Sequence, residues 1–92
     1  MTLVRGDGVG LLRDLVRIDS RNPSLIPNVP GELEIARVIA DVLSEWGLEV
    51  RLAEVAPGRP NVVAILKGRG GGRSLMLNGH IDVVGIEGMT HP

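Results

Sequence analysis

Apolar residues between positions 9 and 18 recur at helical intervals. Val9, Leu12, Leu15 and Val16 share one face, with Leu11 and Ile18 at its flanks, and Arg13, Asp14 and Arg17 fall largely on the other. The spacing predicts an amphipathic helix of about three turns, with Asp7 as its N-cap. Residues 19–31 hold three prolines, two asparagines and a glycine and read as loop. A second helix is expected over residues 30–46, with Pro30 in the first turn and Glu32 and Glu34 at the positive end of the dipole. Leu33, Ala36, Ile39, Ala40, Leu43 and Trp46 keep its period, and Ile35 and Val42 widen the apolar face. A helix this apolar is expected to be covered on more than one side. Gly47 is the expected stop.

Beyond Gly47 the period changes to two. In residues 48–55, Leu48, Val50 and Leu52 alternate with Glu49, Arg51 and Glu54, the pattern of a half-buried strand near a sheet edge. Residues 56–60 (Ala-Pro-Gly-Arg-Pro) read as a turn. Residues 61–67 form a near-continuous apolar run, expected to be a strand buried on both faces. A glycine-rich loop follows at 68–72, and residues 74–77 open a third strand. The order of helix, helix, strand, strand, strand predicts an α/β fold: two N-terminal helices packed on a mixed sheet, with the glycine loop closing a hairpin between the second and third strands. No internal repeat or interdomain linker is visible. Residues 85–92 have no periodicity and read as a loop cut in mid-course, which suggests a piece of a larger domain.

Composition narrows the partners. The 92 residues are 43% hydrophobic, Trp46 is the single aromatic residue and the net charge is −1 without a basic block, so neither nucleic acid nor an anionic membrane is indicated. Cysteine is absent, which excludes disulfides and thiolate metal sites. The first residues lack the apolar segment of a signal peptide. No apolar run approaches the roughly 18 residues of a membrane span. A soluble, cytoplasmic protein is the default expectation. Asn22-Pro23-Ser24 has the outline of a glycosylation acceptor, but the central proline blocks it.

The candidate chemistry lies late in the chain. Gly68-Arg69-Gly70-Gly71-Gly72 lacks the ending of a P-loop and the spacing of a dinucleotide fingerprint, and no helix follows it to receive a phosphate. His80-Ile81-Asp82 is more informative. In an extended chain the His and the Asp share a side, and a carboxylate beside an imidazole fixes its tautomer and leaves the other ring nitrogen for a metal. Two bland readings stand beside this one. A surface His/Asp pair at a strand end is common, and Asn78-Gly79 is a turn signal that would make residues 75–77 and 81–84 a hairpin. Glu32, Glu34, Asp41 and Glu45, with Arg37, read as a solvated helix face. His91 follows a surface loop and is a weak ligand candidate. Asp19-Ser20-Arg21-Asn22 could line a pocket, but capping and turn duties explain these residues as well. No serine lies in a nucleophile elbow.

Taken together, the chain resembles the opening of the M20 metallopeptidases and deacylases, the family of acetylornithine deacetylase, succinyl-diaminopimelate desuccinylase, aminoacylase and carboxypeptidase G2-like proteins. The resemblance runs through residues 11–20 (Leu-Leu-Arg-Asp-Leu-Val-Arg-Ile-Asp-Ser), Gly31-Glu32, the second helix to Trp46-Gly47 and Asn61-Val62-Val63-Ala64. It is most specific at residues 75–84 (Leu-Met-Leu-Asn-Gly-His-Ile-Asp-Val-Val). By position, His80 matches the family's first zinc-ligating histidine. Asp82 matches the catalytic-site aspartate that supports that histidine and the metal-bound water, and Gly79 the small residue before the ligand. The resemblance implies that residues 1–92 are the N-terminal part of a zinc-peptidase-like α/β/α catalytic domain, with Asn78-Gly79 on or at the end of a strand. Gly85 departs from the proline that commonly follows the valines.

The family's bridging Asp, its general-base Glu, its further ligands and its lid and dimerisation domain lie downstream of the His-x-Asp motif. A catalytic zinc needs about three protein ligands and an open position, and His80 is the single good candidate. The piece is therefore expected to hold zinc weakly, if at all, and to be inactive by itself. The parent implied is an amidohydrolase with one or two Zn2+ ions, or Co2+ or Mn2+ in their place. It would cleave an N-acyl amino acid or small peptide, with homodimerisation one of its options. The piece is expected to expose apolar surface on the second helix or the central strand and to self-associate through it, or to pair with the rest of the enzyme as a clipped complex. The alternative is a small non-catalytic α/β binding module.

Overall fold

The computed structural model describes residues 6–90; residues 1–5 and 91–92, His91 among them, lie outside it. Four elements follow in order: α1 (Gly8–Val16), α2 (Leu33–Glu45), β1 (Glu49–Ala56) and β2 (Arg59–Ile65). Among the described residues no helix is long and apolar enough to cross a membrane.

Both helices begin and end where local chemistry dictates. Asp7 caps α1, its Oδ1 accepting from the Gly10 N–H at 2.9 Å. The second helix starts at Leu33, three residues later than the expected Pro30, because Gly31 has a φ of +82° and cannot continue a right-handed helix backwards. Gly47, at φ +90°, closes α2 as expected. Its N–H donates to the Ser44 carbonyl and the Leu48 N–H to that of Leu43, the paired bonds of a Schellman motif.

The two strands pair antiparallel, with Glu49 opposite Ile65, Leu52 opposite Val62 and Glu54 opposite Pro60. The turn is shorter than expected: Pro57 and Gly58 make it, while Arg59 and Pro60 already belong to β2. Gly58, at φ +71°, donates its N–H to Glu54 Oε1 at 2.8 Å. Pro60, which has no donor, sits where the register slips between Glu54 and Ala56.

Three expectations are corrected here. The hairpin joins β1 to β2, not the second strand to a third. Residues 73–82 form neither strand nor turn, so the sheet is two-stranded and antiparallel instead of mixed. β2 is only partly buried rather than covered on both faces: Val62, Val63 and Ala64 are half-buried, and Ile65 and Leu66 are exposed. The common cause is a missing neighbour: an apolar run becomes a buried central strand only when other strands and layers flank it. Leu75, Met76 and Leu77, at 84%, 85% and 88% exposure, have none.

The core is where α2 lies across both strands. Ile35, Ala36, Ala40 and Val42 are buried. Ala36 and Ala40, one turn apart, are small enough to let the helix backbone approach closely. The spread of these four residues over the helix accords with the wide apolar face read from the sequence. α1 contributes no fully buried residue. Among the described residues, apolar exposure falls on α1, Leu25, the hairpin, residues 75–77 and residues 83–89; none of the large exposed apolar residues belongs to α2.

Candidate functional site

The loop after α1 is built from its own polar side chains. Asp19 Oδ1 accepts from the backbone N–H and Nε of Arg21, and Asp19 Oδ2 from Arg21 Nη2 at 2.8 Å. These bonds hold the Asp19 carboxyl at about 2, well below its ordinary 3.8. Asn22 opens the next turn: its carbonyl accepts from the N–H groups of Leu25 and Ile26, and its side-chain Oδ1 from the Ser24 N–H at 2.7 Å.

That loop is stitched to the distant His-x-Asp segment. The Val83 N–H donates to the Ser20 carbonyl at 3.0 Å and the Asn22 N–H to the Val83 carbonyl at 2.9 Å, a short parallel bridge between Arg21 and Val83. Ser20 is buried beside it. The side chains continue the contact, with Asn22 Nδ2 donating to Asp82 Oδ2 at 3.0 Å.

His80 and Asp82 do share a side, as their spacing predicts. His80 Nδ1 stands 3.2 Å from Asp82 Oδ1 and 3.0 Å from the Asp82 carbonyl oxygen. Both facing atoms are acceptors, an arrangement that favours a hydrogen on Nδ1 and leaves Nε2 for another partner. The imidazole is 84% exposed and the carboxylate 32%. The Asn22 bond holds the Asp82 carboxyl below the usual range, with His80 adding to the effect. Asn78-Gly79 is not the turn its sequence suggests: neither residue has a positive φ, which a two-residue hairpin turn of that type requires at both positions.

A second charged pair abuts this one. Arg59, at the start of β2, forks onto Glu32 with Nε to Oε2 at 2.9 Å and Nη2 to Oε1 at 2.7 Å. Its Nη1 reaches Ser24 Oγ at 3.0 Å and its Nη2 also reaches Asn22 Oδ1 at 3.3 Å. The Glu32 side chain is 7% exposed, and Arg59 keeps it charged by lowering its pKa against the opposing effect of burial. Its carboxylate is thus engaged by Arg59 and makes no cap bond to α2.

Glu32 therefore does not belong to the solvated helix face to which the sequence assigns it; Glu34, Arg37, Asp41 and Glu45 lie at the surface of α2, partly or fully exposed. Arg59 and Glu32 are site-forming residues whose roles sequence reasoning passes over, and Asn22 is one that it weighs as a pocket or turn residue without its link to Asp82. Of the three, Asn22 alone carries a local signal, the Asn-Pro turn.

His80 fits one arm of a metal site, with a supported imidazole and a nitrogen available. Among the described residues no three His, Asp or Glu side chains converge as a complete site would require. Two shallow surface hollows lie along α2, both lined by Val38 and Asp41, and neither His80 nor Asp82 borders them.

A carboxylate-supported histidine is an arrangement that a metal-dependent hydrolase could use; comparison with known proteins gives the family. The chain is a distant homologue of the M20 deacylases. It is 37% identical over 67 residues, 71% of its length, to an N-formyl-4-amino-5-aminomethyl-2-methylpyrimidine deformylase of Halalkalibacterium halodurans. It is 31% identical over 78 residues, 85% of its length, to a probable succinyl-diaminopimelate desuccinylase of Staphylococcus epidermidis. The chain spans about a sixth of these relatives, 16% of the first and 17% of the second. No family model and no solved structure matches it.

Proposed function

We propose that the chain is the N-terminal part of the α/β/α catalytic domain of a cytoplasmic, zinc-dependent amidohydrolase that cleaves N-acyl amino acids or small peptides. The observation that carries this reading is the His80–Asp82 pair, oriented with Nε2 available. The names of both relatives, a deformylase and a desuccinylase, describe removal of an acyl group.

In this reading His80 Nε2 is a ligand to zinc, or to Co2+ or Mn2+ in its place, and Asp82 fixes the imidazole through Nδ1. A bound zinc ion supplies Lewis acidity toward the amide carbonyl and toward the attacking water. The remaining ligands and the general base are expected outside the described residues, as is any dimerisation domain. Leu75, Met76 and Leu77 would gain covering neighbours in the larger domain.

The test is amine release from N-formyl, N-acetyl and N-succinyl amino acids by the protein expressed from its complete reading frame. Wild type and His80→Ala are compared with zinc or cobalt present and after chelation. Metal-dependent release that His80→Ala abolishes is the expected result. No release from any substrate, or release indifferent to His80→Ala, overturns the reading.

A further inference from the structure

We propose that Asn22 and Arg59 are positioning residues that set the orientation and tautomer of His80 through Asp82, with buried Glu32 as the anchor. The functional meaning of this relay rests on the reading of His80 as a metal ligand; its geometry does not.

The relay runs Glu32, Arg59, Asn22, Asp82, His80, and each link constrains the next. Asp82 lies between two donors, Asn22 Nδ2 at Oδ2 and His80 Nδ1 at Oδ1. Both oxygens are committed, so the carboxylate cannot rotate without disturbing both contacts. Asn22 cannot reverse its amide either. Its Oδ1 accepts from the Ser24 N–H and from Arg59 Nη2, and a flip would set its NH2 group against two donors and its oxygen against a carboxylate. Arg59 is fixed in turn by its two-pronged contact with Glu32. A lysine could keep the charge but could not span Glu32, Ser24 and Asn22 together.

A purely structural clamp would not need this polarity. The loop and the His-x-Asp segment are already joined by two backbone hydrogen bonds at Val83. What the side chains add is position: the Asn22 donor holds Asp82 Oδ2 and so fixes where Oδ1 stands beside His80 Nδ1, next to the Asp82 carbonyl oxygen. Groups that orient a metal-ligating histidine in this way commonly change metal affinity by about 10–100-fold when removed.

The experiment reads the His80 ring directly, by 15N NMR of the 92-residue chain at a pH where the imidazole is neutral. His80→Ala assigns the signal. Wild type should be mainly the Nδ1–H tautomer. In Asn22→Asp two carboxylates face each other, and in Asp82→Asn one oxygen must serve two donors, so each should lower the Nδ1–H population at least twofold. Combining Asn22→Asp with Asp82→Asn restores a complete pattern. The new amide at position 82 accepts from His80 and donates to the new carboxylate at position 22, whose other oxygen takes Ser24 and Arg59. That double variant should recover most of the wild-type population, and Arg59→Lys should fall between wild type and Asn22→Asp. Circular dichroism and hydrogen exchange in α2 verify that each variant is folded. A wild-type ring that is mainly Nε2–H, a folded Asn22→Asp with an unchanged tautomer, or a double variant no better than either single one overturns the proposal. The readout needs neither metal nor substrate, so the relay and the hydrolase reading can fail separately.

Discussion

Asn22 and Asp82 lie 60 positions apart in the chain, and their side chains meet at 3.0 Å. The contact closes the loop after α1 onto the segment that carries His80. Backbone bonds at Ser20, Asn22 and Val83 run beside it, so the side-chain bond and the backbone bridge should open together. Asn22→Ala removes the side-chain bond and leaves the backbone partners in place. The Val83 amide should then exchange with solvent about threefold to tenfold faster, the range expected for one net hydrogen bond, while amides in the middle of α2 keep their rates. Unchanged exchange at Val83 would mean that the backbone bridge holds the loop without help.

Acid should loosen the same region. The Asp19 carboxyl sits at about 2 in the folded chain against an ordinary 3.8, first because of its side-chain bonds from Arg21. Glu32 and Asp82 are also lowered, from 4.5 and 3.8, chiefly by Arg59 and Asn22 respectively. For a carboxyl whose folded value is depressed, the unfolded state takes up protons first as the pH falls. The stabilisation is thus present above the unfolded value and lost as the pH drops through the folded one. The melting temperature should be flat from neutral pH to about 5 and decline from there towards pH 2. Glu32→Gln should flatten part of that decline. A melting temperature that rises between pH 4 and pH 2 would contradict the assignment.

What the sequence makes legible in this molecule is what is local. Asp7 and Gly10 are three positions apart, and the cap is readable from them. Gly47 ends α2 through bonds to residues just before it. His80 and Asp82 share a side because extended backbone puts alternate residues there. The Arg59–Glu32 fork spans 27 positions and the Asn22–Asp82 bond 60, and no periodicity marks such partners. Arg59 reads as a turn residue because its neighbours are Gly58 and Pro60. The third strand fails for a related reason: residues 74–77 carry strand composition, but a strand exists only with a partner edge. Homology to the M20 deacylases is legible because the 75–84 stretch and the order of elements before it coincide, which spacing alone does not show.

Gly85 stands where the family resemblance leads one to expect proline, and the structure shows what a side chain there would meet. A Cβ would lie 2.4 Å from Glu87 Oε2 and 2.9 Å from Ile26 Cδ1. Both are side-chain ends, and Glu87 is exposed, with its Oε1 3.9 Å from Arg21 in a loose ion pair. Gly85 has no positive φ to protect. Gly85→Ala should therefore displace Glu87 and change stability by no more than about 1 kcal/mol. The check is urea unfolding of the variant against wild type. A loss of several kcal/mol would mean that Ile26 cannot yield.

Ile35 and Leu77 are aliphatic residues in opposite settings, at 6% and 88% exposure. Ile35 is packed where α2 crosses the hairpin, so Ile35→Ala removes buried methyl groups and leaves a cavity, at a cost of about 2–4 kcal/mol. Leu77 buries almost nothing, and Leu77→Ser should lie within about 0.5 kcal/mol of wild type in dilute solution. Its effect falls on solubility instead. Leu75, Met76 and Leu77 are consecutive and exposed, and an uncovered apolar run of this kind favours association between copies. Sedimentation of the wild-type chain should show a mass that rises with concentration. The variant carrying Leu75→Ser, Met76→Ser and Leu77→Ser should sediment as a monomer over the same range. If the triple variant associates as strongly as wild type, the sticky surface lies elsewhere, and the exposed face of α1 with Val9, Leu12 and Val16 becomes the one to change.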